Sequence, residues 1–172
     1  MDYLKQFVIR FSGLSIGNHQ YKFIIDEKFF ENFDFSEIKN GKITVDILLN
    51  KQETMFILNF IINGTVNVTC DRCLEPFDLD INGKEKLIVK FGKEKFEETD
   101  EILIIPESDN KINISQYIYE YINLLLPYKR VHPDNADGKS LCNQEVIKKI
   151  KKFSKSKTID PRWEKLKDIK LK

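Results

Sequence analysis

Hydrophobic positions recur with a period of two over most of the first hundred residues. Phe7, Ile9 and Phe11 alternate, Ser12-Gly13 and Gly17-Asn18 break the run, and Tyr21, Phe23 and Ile25 resume it. Successive side chains of a strand point to opposite faces, so such alternation predicts two half-buried strands joined by a loop. Phe29, Phe30, Phe33 and Phe35 fit neither the strand nor the helix period, and 27–38 reads as a loop or short helix. Ile43, Val45 and Ile47 alternate again, and Met55 to Ile62 holds one polar residue, Asn59, among β-branched and aromatic ones. Asn63-Gly64 and Asn82-Gly83 carry the chemistry of two-residue hairpin turns. Between them, Thr65 to Thr69 alternates into a pair of cysteines and Phe77 to Ile81 alternates out; Leu87, Val89 and Phe91 follow. The spacing predicts an antiparallel meander. The charged stretch 93–101 reads as an exposed loop, and Ile102 to Ile105 as a short strand.

The period then changes. Ile114, Tyr117, Ile118, Tyr121, Ile122 and Leu125 fall on one face of a helix. Asn113 is placed to cap it, with Gln116 three residues later in the manner of a capping box, and Pro127 ends it. Val146, Ile147, Ile150 and Phe153 share a face of a second helix over 143–153. The expected class is α+β: an antiparallel β meander or partly closed barrel followed by two C-terminal helices packed on it. One domain over 1–153 and a Lys-rich tail over 154–172 are expected.

Composition agrees with a packed core, since 41% of the 172 residues are hydrophobic. No run approaches the ~18 apolar residues that would span a bilayer, and Met1-Asp2-Tyr3-Leu4-Lys5 does not open like a secretion signal. A cytoplasmic location without membrane association is expected. Charge is split along the chain. Residues 148–172 carry 11 Lys/Arg against 3 Asp/Glu, a net of +8, whereas residues 1–147 carry 17 against 24, a net of −7. A basic end on an acidic body points to an anionic partner.

Three cysteines do not make a disulfide framework. Cys70-Asp71-Arg72-Cys73 instead sets two thiols at the tip between two strands, a spacing that aims both sulfurs at one metal ion. His132 and Cys142, with nine residues between them, supply two further donors, so Zn²⁺ on Cys70, Cys73, His132 and Cys142 is the candidate cofactor. The competing reading leaves Cys142 as a small buried residue near a helix start and His132 as a plain loop residue. A thiol redox site is also conceivable, but such cysteines sit at a helix N-terminus, whereas Glu75-Pro76-Phe77 and a renewed strand pattern follow here. With two histidines, no phosphate loop and no nucleophile elbow, an enzyme with a small-molecule substrate is not expected.

Lys148, Lys149, Lys151, Lys152, Lys155 and Lys157, then Arg162, Lys165 and Lys167, are candidate phosphate contacts for RNA. Trp163 and Phe153 are candidate stacking platforms. The alternative is a merely solubilising surface.

In order, these features resemble the YceD-like large ribosomal RNA subunit accumulation proteins of bacteria and plastids. The resemblance rests on Val68-Thr69-Cys70-Asp71-Arg72-Cys73-Leu74-Glu75-Pro76-Phe77, on Ile112-Asn113-Ile114 leading into a helix with Glu120 and ending Leu126-Pro127, on Cys142, and on Asp160-Pro161-Arg162-Trp163-Glu164-Lys165-Leu166. Arg72, Glu75, Pro76 and Glu120 are thereby motif residues. Many members carry a second Cys-x-x-Cys where His132 and Cys142 stand here, in a loop that resembles Bacteroidetes-type members. The resemblance implies a non-catalytic accessory role in large-subunit rRNA synthesis, processing or accumulation, with rRNA or its precursor as partner. An adaptor contacting a basic ribosomal protein is the alternative function, and a thiol redox protein the weaker one.

Overall fold

The computed structural model describes residues 3–93, 96–99 and 101–154. Its strands are β1 (Val8–Arg10), β2 (Gly17–Ile25), β3 (Asn40–Lys51), β4 (Met55–Thr69), β5 (Pro76–Gly92), β6 (Phe96–Thr99), β7 (Ile102–Pro106) and β8 (Lys111–Asn113). Its α-helices are α1 (Glu27–Phe30), α2 (Ser115–Leu124) and α3 (Gln144–Ser154), and a 3-10 turn spans Tyr3–Phe7. The class is α+β. Six strands form one sheet in the order β2-β3-β4-β5-β7-β6, and β1 pairs with β8 in a separate ladder.

The meander β2-β3-β4-β5 is antiparallel throughout. The sheet does not close into a barrel: β2 and β6 stand at its two edges among the described residues. The sheet is also not purely antiparallel, because β7 runs parallel to β5, with Ile88 opposite Ile102. The charged stretch expected as a loop contributes β6, which pairs with β7.

Neither Asn-Gly pair makes a hairpin. Asn63 lies opposite Asn82 in the middle of two long strands of 15 and 17 residues. Buried positions keep one phase across both pairs, with Phe56, Leu58, Phe60, Ile62, Val66 and Val68 on β4 and Ile81, Leu87 and Val89 on β5. A two-residue turn would have ended that phase. Gly64 serves close approach instead: a Cβ there would strike the carbonyl oxygen of Lys42. At Gly83 a Cβ would run into the Leu125 side chain.

The described chain divides into two compact units. One comprises Met1–Thr69 with Pro76–Arg130, and the other Cys70–Glu75 with the chain from Val131 onward. The core of the first unit combines the inward residues of β3, β4 and β5 with Phe7, Phe29, Phe30 and the α2 residues Ile118 and Ile122, all buried. Asn113 Oδ1 accepts from Ser115 N at 2.9 Å just ahead of α2, but the N-cap position itself falls on Ile114, which has no side-chain cap. Gln116 does not complete a capping box; its amide donates to Glu120 Oε1 one turn on, at 2.7 Å. Of the two expected helices, α2 packs into the core of the first unit, and α3, in the second unit, has no fully buried residue. The tail residues from 155 on lie outside the described residues.

Candidate metal centre

The second unit is assembled from two short segments. In the first, Cys70 to Glu75 folds into a tight knuckle: Cys70 N donates to Glu75 O at 2.9 Å and Leu74 N to Cys70 O at 2.9 Å. Leu74 takes the left-handed conformation, φ 62°, that closes this turn. Pro76, which has no N–H to give, sits at the first position of β5, where a strand tolerates it.

The second segment explains how a nine-residue gap can serve one site. Asn135 N donates to Lys139 O at 2.8 Å, and Asn135 Oδ1 accepts from Asp137 N at 3.1 Å and Lys139 N at 2.8 Å. Gly138, at φ 72°, supplies the positive φ the reversal needs. Asp134 and Ser140 bridge as a minimal ladder. The loop therefore doubles back, and His132 and Cys142 face one another across its base.

The four donors converge. Cys70, Cys73, His132 and Cys142 place one ligand atom each within 4.8 Å of all the others. Cys70 Sγ lies 3.7 Å from Cys142 Sγ, and His132 Nδ1 lies 3.4 Å from Cys73 Sγ and 3.8 Å from Cys142 Sγ. A tetrahedral Zn²⁺ with Zn–S of about 2.3 Å and Zn–N of about 2.0–2.1 Å has S···S edges of about 3.8 Å and S···N edges of about 3.6 Å. The observed separations match those edges. All three cysteines are buried and none is in a disulfide. This set of residues could hold a metal ion, and it would leave no coordination position open to solvent or substrate.

The knuckle also prepares a thiolate. Burial pushes the Cys70 thiol up, but the backbone N–H groups of Cys73, Arg72 and His132, with the His132 side chain, outweigh it and hold the thiol down at about 6. Turn amides lower this thiol without a helix N-terminus. Cys142 behaves oppositely: burial and the nearby Cys70 and Cys73 sulfurs raise its thiol, with Ser140 in partial opposition. A cation at the centre would reverse that penalty, since neighbouring thiolates repel one another only while nothing neutralises them.

Around the donors, Arg72 Nη1 donates to Ser140 Oγ at 3.1 Å, and Cys142 N donates to the same oxygen at 3.3 Å. Glu75 Oε1 accepts from Asn143 Nδ2 at 2.7 Å. Asn143 Oδ1 in turn accepts from Glu145 N at 2.9 Å and Val146 N at 3.4 Å, which makes it the N-cap of α3. Motif residues Arg72 and Glu75 thus act within this unit, whereas Glu120 lies on α2 with Gln116. Lys148, Lys149, Lys151 and Lys152 are exposed on α3. Lys155, Lys157, Arg162, Trp163, Lys165 and Lys167 lie outside the described residues. Ser140, Asn143 and Asn135 were not among the sequence candidates. The Asn-Ala-Asp-Gly turn pattern and an Asn ahead of a helical run were their available signals.

The family model described as "Large ribosomal RNA subunit accumulation protein YceD" matches residues 58–170. The chain belongs to this family. No curated protein and no solved structure matches the chain significantly. The YceD match begins within β4 and spans all four donor residues, so the metal centre and α3 lie in the family region whereas β1 to β3 precede it. The family description states a role in accumulation of the large ribosomal RNA subunit. Among the described residues, no helix is long and apolar enough to cross a membrane.

Proposed function

We propose that this YceD protein is a non-catalytic, cytoplasmic accessory factor of large-subunit rRNA production, in which Zn²⁺ on Cys70, Cys73, His132 and Cys142 organises α3 as an RNA-contacting helix. The convergence of the four donors within 4.8 Å, with three of their separations at tetrahedral edge lengths, carries this reading. A soft three-sulfur, one-nitrogen donor set favours zinc over oxygen-seeking cations. A shell closed by four protein ligands suits a structural ion. When bound, the ion neutralises the thiolates and fixes the two segments of the unit to one another.

Cys142 directly precedes the cap of α3, so fixing Cys142 fixes the helix start. Beyond it α3 presents Lys148, Lys149, Lys151 and Lys152, with Phe153 77% exposed at its end. Lysines there would release counterions from an RNA backbone, and an exposed ring offers a base a stacking surface. Lys155, Lys157, Arg162, Lys165 and Lys167 extend the same charge in sequence.

The test is binding of a labelled fragment of large-subunit precursor rRNA to the zinc-loaded protein, compared with Lys148→Ala/Lys149→Ala/Lys151→Ala/Lys152→Ala. Weaker binding by the variant is expected; equal binding refutes the role of α3. A thiol redox function is the second reading, favoured by the low Cys70 thiol beside Cys142. It predicts a reversible Cys70–Cys142 disulfide in metal-free protein and no zinc in protein purified without oxygen.

A further inference from the structure

We propose that the chain's own C-terminal segment docks on α3, with Trp163, Leu166 and Ile169 covering the apolar face made by Val146, Ile147 and Ile150. This goes beyond the proposed function, which uses only the lysines of α3 and Phe153 and does not depend on the contact.

The apolar face of α3 needs a cover. The helix has 11 residues, none of them buried. Val146 and Ile147 are half-buried, and Ile150 is 44% exposed. Isolated helices shorter than ~12–15 residues are marginal in water, and in proteins they persist mainly by packing an apolar face. The cap at Asn143 holds the first turn only.

The segment that follows α3 has the matching pattern. Residues 155–172 lie outside the described residues, but their sequence is informative. Trp163, Leu166 and Ile169 recur every third residue, and the positions between them, Glu164, Lys165, Lys167 and Asp168, are all charged. That spacing gathers the apolar residues on one side of a helix. Asp160-Pro161 ahead of them carries a helix-start pattern, with Asp as cap and Pro at the first helical position, where its missing N–H costs nothing. Lys155 to Ile159 is left as the connector, and connections of about 2–8 residues join neighbouring helices in bundles. An antiparallel return brings Trp163 toward Ile150 and Ile169 toward Val146.

Charge and tethering select this occupant over a second copy. Residues 148–172 have a net charge of +8, so two α3 helices set face to face would bring like rows of lysines together. The segment instead interleaves Glu164 and Asp168 with its lysines. Its attachment through a short connector also gives it an effective concentration in the mM range, whereas a second copy loses translational freedom on association. Trp163 is then a packing residue rather than a surface for RNA bases. Phe153, exposed at the last turn of α3, lies outside this contact.

Trp163 is the single tryptophan, so its fluorescence reads the contact in the full-length, zinc-loaded protein without a label. Its emission should be blue-shifted, and less quenched by acrylamide, than in the same protein unfolded in urea. Ile147→Gln/Ile150→Gln should return both readings toward the unfolded values; Gln keeps a good helix propensity. Leu166→Gln/Ile169→Gln, which leaves α3 intact, should do the same and serves as the second variant. Zinc content at the wild-type level in each variant shows that the metal centre is undisturbed, which keeps this result separate from the metal and RNA reading. Wild-type emission equal to that of the unfolded chain overturns the proposal. So does a protected Trp163 that neither double variant moves, which would place the segment elsewhere. Protection lost on dilution would assign the face to a second copy, and quenching that appears only when an rRNA fragment is added would return Trp163 to RNA; either result overturns it.

Discussion

Asn143 Nδ2 donates to Glu75 Oε1 at 2.7 Å, which ties the residue that starts α3 to the end of the cysteine knuckle. The same side chain caps the helix through its Oδ1. Cap and tether are one residue beyond Cys142, so the metal centre and the Lys-bearing helix are coupled over a single peptide bond.

Asn143→Ala should remove both bonds. An N-cap loss costs about 1 kcal/mol, and the amide of Gln144, which donates to Ser140 O at 2.9 Å and Cys142 O at 3.1 Å, does not replace the acceptor that Glu145 N and Val146 N lose. Hydrogen exchange should rise at Glu145 and Val146 while zinc content stays at the wild-type level. Unchanged protection of those two amides would contradict the capping role.

Cys142→Ser should weaken zinc retention, since it removes one of the three thiolates and opens a coordination position to water. In the intact protein, zinc should also be released on acidification. Metal ligation requires thiolates, so protons compete with the ion and affinity falls as pH falls. A chromogenic chelator added across the range from neutral to about pH 5 should report the release. Release independent of pH would mean the sulfurs are not the ligands.

Replacing Lys148, Lys149, Lys151 and Lys152 with alanine should do more than weaken RNA binding. If all four lysines meet phosphates, the slope of log affinity against log salt should flatten by about 3. A parallel downward shift with an unaltered slope would show that these lysines act through helix structure rather than through phosphate.

Gly64→Ala should destabilise the strand-rich unit by about 2 kcal/mol, because a Cβ meets the Lys42 carbonyl oxygen, a backbone atom that cannot swing aside. Thermal unfolding checks this directly. A variant as stable as the wild type would mean β3 and β4 do not cross as closely as described.

Gly64 also marks where the sequence misleads. Asn63-Gly64 is a strong local turn signal, yet the apolar phase running Phe60, Ile62, Val66, Val68 continues through it, and burial of that whole face outweighs one dipeptide's preference. The alternation itself was legible, and with it β2, β3 and the buried positions on either side of each Asn-Gly pair, but not that β4 and β5 run unbroken through those pairs. The parallel β5–β7 pair was not, because pairing direction leaves no mark on the period of either strand. Nor was β6, whose charged sequence fits a strand only at a sheet edge. At the metal centre, Cys70 and Cys73 were readable from spacing alone, and Cys142 and His132 by their scarcity. What spacing hid was the reversal at Asn135 and Gly138 that brings the distant pair together. The lowered Cys70 thiol was hidden too, because it arises from amides positioned only once the knuckle folds.

The most direct measurement is the affinity for a large-subunit rRNA fragment of protein purified without oxygen, before zinc removal, after it, and after zinc is restored. A metal-organised helix predicts one zinc per chain, a loss of affinity on removal and its recovery on restoration. Protein that carries no zinc when isolated, or that binds the fragment equally well in all three states, would contradict it.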